Sequence, residues 1–109
     1  MKGAIRFISN YSDGKGRFEI PISDATGFPI VYSERLDYVF RIGYSFFKGG
    51  IRFTEKAGGW VCPDLYELDP PFNKAYLSDV LLKNGFQKNE PVDLFLDEKD
   101  KEITIRKIS

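Results

Sequence analysis

The chain contains no histidine, a single cysteine, a single methionine and a single tryptophan in 109 residues. Lacking His, it has no Ser-His-Asp or Cys-His nucleophile pair, no His-ligated zinc and no imidazole base near neutral pH. Lacking a second cysteine, it can form no intramolecular disulfide, so the fold must be held by its core, as suits a reducing interior. Cys62, between Val61 and Pro63 and followed by Asp64 and Glu67, has no cationic neighbourhood to activate its thiol. It reads as a small buried hydrophobe. No apolar run approaches the ~18 residues of a membrane span, and the opening MKGAIRFISNYSDG is too short and interrupted for a signal-peptide core. The expectation is a soluble, intracellular, cytoplasmic protein without a membrane partner. No Pro/Ser-rich linker, polybasic tail or low-complexity tract divides the sequence, so residues 1–109 read as a single globular domain.

What remains is rich in rings and evenly charged. Seventeen residues are Phe, Tyr or Trp, and 16 basic residues balance 16 acidic ones. The neutral total hides an asymmetry: residues 1–53 hold eight basic and five acidic side chains, residues 54–109 eight basic and eleven acidic. Five of the first eight cations are Arg, the side chain suited to bidentate contacts with phosphate or guanine.

The patterning is that of a mainly β protein. Ala4 to Ile8 reads as a short strand, followed by the concentrated turn signal Asn10 to Gly16. Phe18, Ile20 and Ile22 alternate with Arg17 and Glu19, and Pro21 marks an edge, a bulge or a sheet exit because it cannot donate to a ladder. Ser23 to Pro29 has room for one helical turn. Tyr38 to Tyr44 reads as a strand, Lys48-Gly49-Gly50 as a hairpin connection into a strand at Ile51 to Thr54, and Lys56 to Gly59 as a second turn before Trp60. Short strands at this spacing predict a small antiparallel barrel or sandwich. Asp64 to Phe72, beside Pro63, Pro70 and Pro71, reads as an irregular crossing. A helix is expected around Tyr76, Leu77, Val80 and Leu81, capped by Asn73 or Ser78 and stopped at Asn84-Gly85. A hairpin of Val92 to Asp97 and Ile103 to Arg106 completes the chain.

Two functional patterns arise from these residues. If the fold gathers Lys15, Arg17, Arg41, Lys48, Arg52 and Lys56 on one surface, they form a phosphate-contacting patch, with glycines at 14–16 and 49–50 letting backbone amides approach. Neither glycine cluster matches a P-loop or dinucleotide fingerprint. Tyr44, Phe46, Phe47, Phe53 and Trp60 flank these cations, either as stacking rings for single-stranded bases or as the packing of a small barrel. Against this stands a protein-interaction or inhibitor role, in which Asp93, Asp97, Glu98, Asp100 and Glu102 mimic nucleic acid or an edge strand joins a partner's sheet. Glu67 with Asp69, or Asp64 with Glu67, are carboxylate pairs without a second cluster, so no catalytic residue, metal or cofactor is expected.

Lys15-Gly-Arg-Phe-Glu-Ile-Pro21 resembles the opening strand of AbrB-like swapped-hairpin transcription factors. Tyr76 to Asp97, continuing through Glu102 to Lys107, resembles their second portion: a short helix, an apolar cap and a terminal hairpin. About fifty strand-like residues intervene, and that order is similar to the B3 type of DNA-binding pseudobarrel, with seven strands, one helix after the first and another before the last two. Asn89-Glu90 replaces the usual Gly-Asp turn, and the first helix is reduced to one turn. The resemblance implies a B3-like pseudobarrel that recognises double-stranded DNA, with Arg17 the one contact carried over residue by residue.

Overall fold

The computed structural model describes residues 1–108. It contains ten strands and one helix: β1 (Lys2–Ala4), β2 (Arg6–Asn10), β3 (Gly16–Asp24), β4 (Arg35–Ile42), β5 (Ser45–Thr54), β6 (Gly58–Val61), β7 (Asp64–Tyr66), β8 (Lys74–Tyr76), α1 (Leu77–Lys83), β9 (Pro91–Asp97) and β10 (Glu102–Lys107). The path β3-β1-β9-β10-β4-β5 is closed by β6, which pairs with both β5 and β3. The result is a seven-strand barrel, with β2 extending it beyond β3 and the β7–β8 hairpin beyond β5.

The closure corrects the antiparallel expectation at one seam. Seven is odd, so strands alternating in direction cannot close a ring without one parallel neighbour pair. That pair is β10 with β4, in the register Glu102↔Val39 to Ile105↔Ile42. Period-2 alternation then decides the faces. Tyr38, Phe40 and Ile42 of β4, Ile51 and Phe53 of β5, Leu94 of β9, and Ile103 and Ile105 of β10 are buried in the single core cluster. Arg41, Lys48, Arg52, Phe95 and Arg106 point outward and are exposed.

Both ends of the barrel are covered. Phe28 packs on Tyr38 and Phe53, with ring centroids 5.5 Å from each, where β4 begins and β5 ends. At the other end α1 buries Leu77, Val80 and Leu81. Seven residues are too few for an autonomous helix, so burial of these side chains, roughly 1.5–3 kcal/mol each, holds it. The stop at Gly85 falls where expected, with φ at +81° and the Phe86 N–H donating to the Leu81 carbonyl. The expected caps do not: Tyr76 occupies the N-cap without a side-chain bond, because Asn73 precedes a strand and Ser78 is buried within the helix.

Other local expectations are revised. Lys48-Gly49-Gly50 is not a turn but the middle of β5; the hairpin turns at Gly43-Tyr44, where Gly43 takes φ +62°. Gly49 serves close packing instead, since a Cβ there would come within 2.7 Å of both Leu65 and Phe40. Asp64 to Phe72 is less irregular than expected, as β7 pairs with β8 and meets β5 at Lys48↔Tyr66. The first strand is split into β1 and β2, and Ser23 to Pro29 holds the end of β3 and a turn at Thr26-Gly27 and no helix. Only the helix before the final hairpin of the B3 order is therefore present. Pro21 lies where β3 passes from β2, which pairs with Gly16 to Glu19, to β1, which pairs with Ile22 and Asp24. Its missing donor falls at that junction.

Candidate functional site

The barrel divides the six expected cations. Arg41 of β4 and Lys48 and Arg52 of β5 stand on one continuous outer face, and Lys56 lies in the turn that follows β5. Lys15 and Arg17 lie elsewhere, against α1 and the chain around Tyr11. The Lys15 Nζ pairs with Asp79 at 3.2 Å, and that hydrogen-bonded carboxylate raises the lysine's pKa. The Arg17 guanidinium lies 5.9 Å from the Tyr11 ring centroid, with its Nε buried and unpartnered among the described residues. A single patch of all six residues does not form.

The outer face contains residues that their sequence positions did not associate with it. Arg35 is the cross-strand neighbour of Arg52, a like-charge juxtaposition relieved where the Arg35 Nε donates to Asp37 at 3.3 Å. Beside them, Arg35, Asp37 and Lys48 face Tyr66, Leu68 and Phe72 across an open hollow. More important is the parallel seam. It places Thr104 beside Arg41, and hence Arg106 one outward step further along β10. Arg41, Lys48, Arg52 and Arg106 enter no ion pair among the described residues. Sequence spacing gave no signal for Arg106, because only the barrel's closure brings β10 against β4.

The rings flanking these cations have two different environments. Phe53 is core, and Phe47 and Trp60 are half-buried. Tyr44 at the turn is 96% exposed and Phe46 44% exposed, while Phe95 on β9, outside the expected set, is 49% exposed. Arg41 lies over Phe46, its Cζ 5.8 Å from the ring centroid, and Arg106 lies over Phe95 at 4.6 Å. Each guanidinium thus lies within cation–π range of an exposed ring.

The glycine clusters contribute no phosphate cradle on this face. Gly49 and Gly50 are buried in the β5 ladder, and the Gly50 carbonyl accepts from the Cys62 N–H at 2.9 Å. Cys62 is buried as expected, and burial pushes its thiol pKa up. The carboxylates near the prolines are dispersed: Asp64 accepts from the Tyr11 hydroxyl at 3.1 Å and pairs with Lys74 at 3.4 Å. No three His, Cys, Asp or Glu side chains gather in a metal-holding group among the described residues. No helix is long and apolar enough to cross a membrane among the described residues.

Compared with family models, with curated proteins and with solved structures, the chain shows no match. Its class is therefore set by its own geometry: a small closed β-barrel with one short helix.

Proposed function

We propose that this chain is a DNA-binding module without catalysis of its own, holding nucleic acid through the Arg- and Lys-bearing outer face of β4, β5 and β10. One observation carries this reading: Arg41, Lys48, Arg52 and Arg106 stand outward on three neighbouring strands without an ion-pair partner among the described residues. Each phosphate such a face neutralises releases condensed counterions, so binding draws on solvent entropy and weakens with salt. The B3-like and AbrB-like resemblance points to the same ligand, though Arg17, its one transferable contact, is packed on Tyr11.

Fluorescence anisotropy with labelled duplex and single-stranded DNA tests it. About four phosphate contacts give a log–log salt slope near −3 to −4, and Arg41→Ala reduces that slope by about one. Absence of binding to either probe at low salt overturns the reading.

A second reading, strand addition by a protein partner, is favoured by β2. It ends the sheet, pairs among the described residues only with β3, and leaves all five residues exposed, Phe7 and Ile8 among them. A protein that co-purifies from native extract with the wild type and is lost with Ile8→Lys supports it; equal recovery with both chains counts against it. The acidic half gives less support to mimicry, since Asp93 pairs with Lys2 at 2.8 Å and Asp97 accepts the Lys99 and Asp100 amides.

A further inference from the structure

We infer that the β10–β4 seam is a phosphate site flanked by two base-stacking rings, so that the preferred ligand is an unpaired polynucleotide strand and not a duplex. The inference rests on the DNA-binding reading and specifies its ligand.

The phosphate site is a hollow of about 290 Å³ at the end of the seam, lined by Arg41, Arg106 and Lys107 with Thr104, Gly43 and Asn84 and, among the described residues, by no carboxylate. Two guanidiniums supply forked donors that match phosphate geometry, and Thr104 adds a hydroxyl donor. Lys107 is partly committed, because its Nζ also donates to the Gly85 carbonyl and lies 3.7 Å from Glu90. Arg41 and Arg106 are thus the principal anion ligands.

The rings set the rest of the ligand. Phe95, Thr104, Arg41 and Phe46 occupy one lateral row across β9, β10, β4 and β5, being successive register partners. At ~4.8 Å per strand the two Phe residues stand roughly 14 Å apart along the sheet, one on each side of the paired arginines. Phe46 is 44% and Phe95 49% exposed, each beside its arginine, so a base stacks on the part of the ring that the arginine leaves open, and base–aromatic stacking tolerates any sequence. A duplex offers no such faces, since its bases are stacked on each other.

Width argues the same way. Four strands with outward side chains span more than the ~12 Å major groove, which admits a helix or a two-stranded ribbon. On a duplex this face reaches only phosphates. On a single strand it reaches phosphates and bases together.

The experiment compares a deoxythymidine strand of about 15 nucleotides, the matching uridine strand and a duplex of equal length, on the full chain. The deoxythymidine strand is expected to bind at least about tenfold more tightly than the duplex. Phe46→Ala and Phe95→Ala each weaken strand binding by about fivefold or more, the low end of one base stack, and leave duplex binding unchanged. Phe46→Leu, which keeps the apolar bulk but not the ring, behaves like Phe46→Ala. Arg41→Ala and Arg106→Ala weaken both ligands. All four positions are exposed, and circular dichroism confirms that the variants fold. Stronger binding of the uridine strand than of the deoxythymidine strand identifies RNA as the preferred source of the same chemistry and leaves the inference standing. Duplex binding equal to strand binding, with both Phe variants silent, overturns the inference and leaves the DNA-binding reading intact. Binding of no probe overturns both.

Discussion

Tyr11 and Tyr76 lie face to face, their ring centroids 3.9 Å apart and their planes 8° from parallel. The pair joins the loop after β2 to the start of α1, residues 65 positions apart. Tyr11 is also tied to β7, its hydroxyl donating to Asp64 Oδ1 at 3.1 Å. A stack of this kind is worth ~0.5–1.5 kcal/mol beyond the area it buries. A double-mutant cycle of Tyr11→Ala and Tyr76→Ala, read by urea unfolding, should give a coupling energy in that range. Strict additivity would mean that the stack does not hold the loop to the helix.

The same tyrosine gives the protein an alkaline limit. Burial, and then the hydrogen bond to Asp64, raise the Tyr11 pKa well above its ordinary 10.0; burial, and then the Glu98 charge, also raise that of Tyr38. With a folded value above the unfolded one, the stabilisation is whole below about pH 10 and is lost as the pH rises through the folded value. The two tyrosines' contribution to the unfolding free energy should therefore be constant below about pH 10 and fall as the pH rises beyond it. Tyr11→Phe should make the fall shallower, and an unchanged profile in that variant would refute the assignment.

Gly49 makes a prediction about packing alone, since its backbone is ordinary strand. A methyl group there would meet Leu65 and Phe40 side chains that are themselves fully buried. Gly49→Ala should cost about 1–3 kcal/mol, the usual cost of overpacking a filled core. A midpoint in urea equal to that of the wild type would show that the core has room to yield.

These positions show which parts of the fold the sequence makes legible. Alternation at Phe18, Ile20 and Ile22, and at Val92, Leu94 and Leu96, fixes strands because each pattern is a local consequence of the two-residue pleat. The helix at Leu77 to Lys83 is legible for the same reason, by its 3.6-residue recurrence and Gly85 stop. Lys48-Gly49-Gly50 misleads because glycine marks a turn by backbone freedom and a close approach by its missing Cβ, and sequence alone does not tell the two apart. The candidate site is less legible still. Arg41 and Arg106 become neighbours only through the β10–β4 seam, a long-range pairing forced by closing an odd number of strands. Counting cations along the first half of the chain therefore gathers Lys15 and Arg17, which the fold separates, and omits Arg106, which it brings in.

That separation gives a direct test of which cations belong to the binding face. Lys15 and Lys48 are both exposed lysines, and a sequence count treats them alike. Lys15 is paired with Asp79 and lies against the α1 side of the molecule, whereas Lys48 is unpaired among the described residues and projects from the middle of β5. An exposed ion pair such as Lys15–Asp79 contributes little stability, so neither lysine is needed for folding. Lys48→Ala should weaken DNA binding across sequences and reduce the magnitude of the salt slope by about one, as loss of one phosphate contact requires. Lys15→Ala should leave affinity and slope as they are in the wild type. If the two substitutions weaken binding equally, the ligand covers both faces, and the β4–β5–β10 surface is not the whole site.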